Sequence, residues 1–296
     1  MKQIPVSYLL DIELCTPEVR SFLFHEFACN GAKHTVLTDT MIFEIMKRRS
    51  LAKELESEIA AEGLDFVDSH APFGGPQDLN CNDKDFRHEM ILRHKLAINI
   101  AASMGVKTIT IHVGNYNDSN VPTQVYQDNI VDALEKLLPE AEKCGIIIAI
   151  ENIYDEISNP DVLLAVKEKF PTDWLGFCYD SGHANIQAKG FCNPKGYIWT
   201  VWPHHKEPRW DDKVLEKLLP HVVTCHLHDN DGDDDQHLAP GGGNIDWKHI
   251  MGLLAKASRL KCLQCEAIPI MKHVSIRDIC QSMQSLEPLA PGVKFV

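Results

Sequence analysis

The sequence predicts an α/β protein, a (β/α)8 TIM barrel occupying residues 1–296 as one domain, on three observations. Short β-rich apolar runs alternate eight times with stretches of helical periodicity. Several helical stretches end in glycine just before the next run: Gly31, Gly63, Gly105 and Gly145 suit the left-handed cap of a short helix-to-strand connection. Metal-ligand residue types recur at the ends of the strand-like runs, and a closed parallel barrel gathers those ends on one face. A chain of 296 residues, 44% hydrophobic, matches the roughly 250 residues of such a barrel and leaves no room for a second full domain.

Taken in order, PVSYLLD precedes a helix over PEVRSFLFHEFACNG, and HTVLTD precedes one long helix over MIFEIMKRRSLAKELESEIAAEG. LDFVDSH is followed by a helix through His88 to Met104, VKTITIHVG by one from about Val121 to Cys144, and IIIAIEN by one from Pro160. LGFCYDSGH leads to a helix near Asp211 to Leu219, VVTCHLHD to one from Trp247, and KCLQCEA to one from Ser275. Strands separated by helices pair in parallel through right-handed crossovers, and eight such units close more naturally than they lie open. Two connections exceed the usual length, Ala184 to Trp210 and Asp229 to Asn244.

With 29 Lys plus Arg against 42 Asp plus Glu, the formal net charge of −13 disfavours nonspecific attraction to phosphate backbones, so nucleic acid is not the expected partner. The start lacks the basic end and apolar stretch of a secretory signal, and no apolar run approaches the 18 residues of a membrane span. The expectation is a soluble, cytoplasmic protein with no membrane partner. Ten scattered cysteines fit reduced thiols; Cys262 and Cys265 form a CxxC, but inside a strand-like run residues three apart point to opposite faces. No surface pattern fixes the oligomeric state, and a homo-oligomer is left open.

Nine residues carry the candidate chemistry: His70, His112, Glu151, Asp180, His183, His226, Asp235, His237 and Glu266. Glu151 ends the nearly all-apolar IIIAIEN and Glu266 ends KCLQCEA, and a buried carboxylate is costly unless paired or metal-bound. Asp180 and His183 lie three apart at a strand end. His226 and His228 are two apart on one strand face; His226 is favoured as the ligand, with His228 beside it or on a substrate. Asp235 and His237 offer a carboxylate and an imidazole suited to a further metal. DNDGDDDQH is no EF-hand, because Asp234 stands where that loop needs glycine and Pro240 where it needs glutamate. PGGGN is a tight turn into the helix at Asp246 and not a P-loop, and the nucleophile elbow GxSxG is absent.

SHAPFGG, IHVGN, IEN, YDSGHAN, CHLHDNDGDDDQHLAPGGGNIDW and CEA together resemble the xylose-isomerase-like TIM-barrel superfamily over residues about 4 to 290. Its members include sugar isomerases and epimerases, and also endonuclease IV, which cuts DNA at abasic sites with three zinc ions. Resemblance to the epimerases implies that Glu151, Asp180, His226 and Glu266 bind one divalent ion, usually manganese, cobalt or magnesium. It also implies that Glu151 and Glu266 move protons, leaving His70, His112, His183 and His228 to contact a small sugar. Resemblance to endonuclease IV implies instead that His70 and His112 bind a zinc ion bridged by Glu151 to a second, held also by Asp180, His226 and Glu266. His183, Asp235 and His237 would then hold a third.

The ligands alone do not choose between these. Only Lys84 and Arg87 lie near the loop after His70, and no basic stripe follows Asp180, whereas YIWTVWPHHKEPRW offers an aromatic lid for a small polar substrate. The expected function is therefore isomerisation or epimerisation of a small sugar or sugar-derived ketone through an enediolate. Glu266 is read as base and Glu151 as acid, in an order the sequence leaves open. A zinc-dependent phosphodiester hydrolase is the alternative, followed by a lyase or dehydratase using the same enediolate step and by a noncatalytic sugar-binding barrel.

Overall fold

The computed structural model describes residues 1–10, 15–115, 120–188, 208–269 and 274–296. Of the aromatic stretch 197–210 expected to form a lid, residues 197–207 lie outside them. Ten strands are found among the described residues: β1 (Lys2–Ile4), β2 (Val6–Tyr8), β3 (His34–Leu37), β4 (Asp65–His70), β5 (Thr108–Ile111), β6 (Ile147–Glu151), β7 (Leu175–Asp180), β8 (Val222–Leu227), β9 (Leu263–Cys265) and β10 (Val293–Phe295). Strands β2 to β9 form a closed barrel in chain order, every pair parallel, with β9 returning to β2 through Val6 opposite Leu263. The expected (β/α)8 barrel is present.

The helices cover the outside because their apolar residues recur at the helical period. In the helix Thr123–Cys144 the buried side chains are Tyr126, Ile130, Ala133, Leu134, Leu137, Leu138 and Ala141. The expected left-handed caps are found, with φ of +89° at Gly31, +72° at Gly63, +85° at Gly105 and +68° at Gly145. Inside the barrel the filling is unusually polar. Asp68, fully buried, accepts from Thr108 Oγ1 at 2.6 Å, from Ser69 N at 2.9 Å and from Thr224 Oγ1, and burial raises its pKa above the ordinary carboxylate range.

Three features differ from the sequence reading. The long second helix is two, Asp39–Lys47 and Leu51–Ala61. In one continuous helix Leu51 would fall on the side opposite Ile42 and Ile45, so the break at extended Arg48 lets both apolar faces reach the core. SGH does not extend β7; it opens a helix, Ser181–Gln187, because Asp180 caps it by accepting His183 N at 2.6 Å. The helix expected through His88 to Met104 is present as Lys84–Ser103, opening where the Asp83 side chain accepts from Asp85 N. A two-stranded parallel sheet, β1 with β10, lies outside the barrel and was not anticipated. Among the described residues no helix is long and apolar enough to cross a membrane.

A Cβ built on Gly145 meets nothing within 4 Å, so its +68° φ is the only obstacle to a side chain. Gly145→Ala is expected to lower the unfolding free energy by about 1 kcal/mol, read from the urea midpoint; an unchanged midpoint would mean that the cap relaxes without cost.

Candidate functional site

The carboxyl ends of β4 to β9 deliver the nine candidate residues to one mouth of the barrel, as expected. The inward positions alternate with outward ones, so His70, His112, Glu151, Asp180, His226 and Glu266, each at or just past its strand's end, all face the axis. Of these, His70, His112, Glu151 and Glu266 border a cavity of about 270 Å³, lined also by His183, Asp235 and His237 and walled by Leu9, Thr38, Asp39, Phe73 and Ile268, while Asp180 and His226 lie fully buried behind its lining. Its volume falls just below the usual range of small-molecule sites, roughly 300–1,000 Å³.

Glu151 is the hub. Its Oε2 lies 3.1 Å from His112 Nε2 and 3.7 Å from His70 Nε2, and those two nitrogens are 3.2 Å apart. Its Oε1 lies 3.1 Å from His183 Nδ1 and 3.5 Å from His226 Nδ1. His226 Nδ1 is also 3.2 Å from Glu266 Oε1 and 3.8 Å from Asp180 Oδ2. Asp235 Oδ2 bridges His183 Nε2 at 3.2 Å and His237 Nε2 at 3.3 Å. Glu151 thus turns one oxygen to each of two donor groups, and Asp235 joins a third to the second.

The charges are strongly biased. Burial alone would raise Glu151, but the facing His226 and His112 hold its carboxyl well below the usual range. Burial and then the charges of Asp180 and Glu151 push Glu266 well above it. Burial opposes a charge on His183, yet Asp180 and Asp235 raise it well above the ordinary imidazole value; Asp235 is lowered in turn by His183 against its own burial.

A divalent cation fits these residues on the evidence of their atoms. Glu151 Oε2, His226 Nδ1 and Asp235 Oδ1 are buried without a hydrogen-bond partner, although imidazole or carboxylate atoms lie within 4 Å of each. Close approach without hydrogen-bond alignment is what ligands of a shared ion show. Asp180, His226 and Glu266 offer ligand atoms within 4.8 Å of one another, as do Glu151, Asp180 and His183, and His70, His112 and Glu151. Oxygen and imidazole donors suit magnesium, manganese, cobalt or zinc.

Several supports are not evident from ligand types alone. Asn152 donates to Asp180 O at 3.0 Å and accepts from Asp180 N at 2.9 Å, while its own carbonyl lies 3.0 Å from His183 Nδ1. His228 is fully buried and does not line the cavity: its Nε2 sits 3.1 and 3.2 Å from the two oxygens of Asp180, and its ring stacks on His237 at 4.0 Å. That placement favours holding Asp180 over meeting a substrate. Gly182 is required there, since a Cβ would come 2.0 Å from His228 Cε1. His237 itself has φ of +47°, an uncommon conformation outside glycine that aims its ring at Asp235.

The loop carrying Asp235 and His237 is tied down by Asp229, wholly buried. This carboxylate accepts from Asn230 N (3.0 Å), Gly241 N (2.8 Å), Ile245 N (3.2 Å) and Trp247 Nε1 (2.8 Å). PGGGN is the turn expected, leading to the helix Trp247–Leu254 capped by Asp246. Arg87, one of two cations near the loop after His70, is used internally: it donates to Leu79 O, Cys81 O and Asn129 O and pairs with Asp132 at 2.6 Å.

Comparison with known proteins places this geometry in context. A family profile described as xylose isomerase-like TIM barrel matches residues 27–268. The protein MJ1311 of Methanocaldococcus jannaschii is 26% identical over 226 residues, covering 74% of this chain and 68% of that one. Among solved structures, a D-tagatose 3-epimerase-like protein superposes with TM-score 0.72 at 20% identity over 98% of this chain and 97% of its own. The 3-keto-D-glucoside 4-epimerase YcjR of E. coli gives TM-score 0.72 at 13% identity over 96% and 99%. A xylose isomerase-like TIM barrel protein from Mycobacterium smegmatis, in complex with magnesium, gives 0.69 at 16% over 97% and 98%. At these identities the solved structures speak for the fold.

Asp229→Ala strands four N–H donors that now share one buried carboxylate. It is expected to cost at least about 2 kcal/mol of stability, with Asp229→Asn costing less. A thermal melt unchanged in both variants would show that the loop is held by other contacts.

Proposed function

The chain belongs to the xylose isomerase-like TIM barrel family, and from that premise we propose that it is a divalent-metal-dependent isomerase or epimerase of a small sugar or sugar-derived ketone. The observation carrying this reading is the placement of Glu151, Asp180, His226 and Glu266 at successive strand ends, with both glutamates bordering one small cavity. The D-tagatose 3-epimerase-like protein and the 3-keto-D-glucoside 4-epimerase that share the fold support the sugar class, and the magnesium complex supports a bound cation.

In this reading Glu151, Asp180, His226 and Glu266 hold the ion, which when bound would polarise the substrate carbonyl and stabilise the negative charge of an enediolate. Glu266 takes the proton from the carbon next to the carbonyl, and Glu151, facing the same cavity among His112 and His183, returns one to the neighbouring atom or the opposite face. His228 and Asn152 fix the Asp180 carboxylate. Phe73, in edge contact with His70 at 4.9 Å and tilted on His112 at 4.5 Å, supplies an apolar wall for the sugar's C–H face. Manganese, magnesium and cobalt all suit the four-ligand set.

A second reading has its own observation. Glu151 presents its other oxygen to His70 and His112, and Asp235 spans His183 and His237, so the donors suffice for more than one zinc ion and for metal-assisted phosphodiester hydrolysis.

Elemental analysis of protein purified without chelator separates the two. About one manganese, magnesium or cobalt per chain is expected, together with solvent deuterium incorporated into a ketose or aldose from a substrate panel. Glu151→Gln and Glu266→Gln should each lower kcat at least about 100-fold. Full turnover in both variants would end the acid–base assignment, whereas about three zinc ions per chain with cleavage of abasic DNA would install the second reading.

A further inference from the structure

Beneath the four proposed ligands the barrel holds a thiol that the reading above does not use. Cys178 lies on β7 two residues before Asp180, hence on the same inward side, and stands opposite Glu151 in the β6–β7 register. The pairing of β7 with β8 slips between Phe177 and Cys178: Phe177 faces Val222, but Cys178 faces Thr224 and Asp180 faces His226. The extra residue, Val223, packs with Ala149 against Cys178. Such a bulge beside a site re-aims the side chains next to it. Here Cys178 Sγ, a Glu151 carboxylate oxygen and a His226 imidazole nitrogen all come within 4.8 Å of one another.

All three residues are at least 99% buried, and two of them leave atoms unsatisfied: Glu151 Oε2 and His226 Nδ1 have no hydrogen-bond partner. A thiol packed on Ala149 and Val223 has little else to do by way of polar contact. Beside a dication, a coordinating thiol gives up its proton.

We infer that Cys178 is a further ligand of the ion, a sulfur donor at the floor of the site that joins Glu151 and His226. The inference rests on the metal-centre reading above and narrows it. As the ion enters, the Cys178 S–H proton leaves to solvent and the sulfur lone pair takes its place toward the ion. No oxidation state changes. Among the ions that reading allows, a soft thiolate favours cobalt over magnesium and manganese, so the choice among otherwise similar ions is made from below the oxygen and imidazole donors.

Titrating the full chain with Co2+ tests this by absorption spectroscopy. The expected result is visible ligand-field bands accompanied by a near-ultraviolet thiolate-to-cobalt charge-transfer band. In Cys178→Ala the near-ultraviolet band is lost and the visible bands remain. Cys178→Ser, close to isosteric, should behave alike, so a folding defect in one variant leaves the test intact. Visible bands without the charge-transfer band in the unaltered chain, or a charge-transfer band that survives both substitutions, would overturn the role of Cys178 while leaving the metal centre standing. Failure of the chain to develop any cobalt spectrum would overturn the metal centre itself and this inference with it.

Discussion

Like charge gathered in a place water hardly reaches governs this molecule. Asp180 has an oxygen within 4.8 Å of ligand atoms on Glu151 and on Glu266; Asp180 and Glu151 are buried within the mouth of the barrel, and Glu266 is partly buried there. At such a separation each like-charged pair costs on the order of 3–4 kcal/mol with an effective dielectric of about 20. The upward push on Glu266 comes first from burial and then from that repulsion, expressed as proton affinity. Imidazoles offset part of it, which is why His183 is biased toward its cationic form and Glu151 toward its anionic form. A divalent cation offsets it more fully and without directional hydrogen bonds, in keeping with lone pairs on Glu151, His226 and Asp235 that lie close to partners yet align with none.

The scaffold around the acids follows from the same constraint, because groups that repel one another stay together only if each is fixed from behind. Asp180 shows how many contacts this takes. Its backbone is clasped by Asn152, its carboxylate is met by His228 and by the N–H of His183, and Ser181 joins the next strand through His228 N and O. His228 fits only because residue 182 lacks a side chain. Asp229 performs the corresponding task for the loop bearing Asp235 and His237, gathering four donors spread over 18 positions of sequence. Without these fixtures the same ligand types would be a solvated acidic loop beside a barrel.

Much of this was legible before any coordinates. Apolar runs ending in Glu151, Asp180, His226 and Glu266 announce both the strands and the face on which they converge, because in a parallel barrel strand end and site are the same place. What escaped was non-local. Nothing in DNDGDDDQH says that Asp229 serves Gly241 and Trp247 while Asp235 serves His183. The phase jump between Ile45 and Leu51 was readable but was outweighed by the helix-forming residues between them. For His228 alternation leaves open a place beside the ligands or on a substrate, and only the packing shows it behind Asp180. Cys178 was hidden by a register slip that no local pattern encodes.

The balance between a one-ion and a several-ion centre turns on what surrounds the donors. Their number favours several ions, since Glu151 and Asp235 each stand between two imidazole groups. Their setting favours a small uncharged substrate. The cavity is about 270 Å³, with Leu9, Phe73 and Ile268 as apolar walls, and Arg87 spends its donors on Leu79, Cys81, Asn129 and Asp132 and so offers nothing to a phosphate backbone. A nucleic-acid strand needs cations along its track as well as metals at the scissile bond, because most of its binding energy comes from its phosphates. A sugar ketone needs only a cation at the carbonyl and a carboxylate at each proton. Under the proposed isomerase reading, the extra imidazoles near Glu151 would serve as hydroxyl partners for the sugar without any change in the ligands of the first ion.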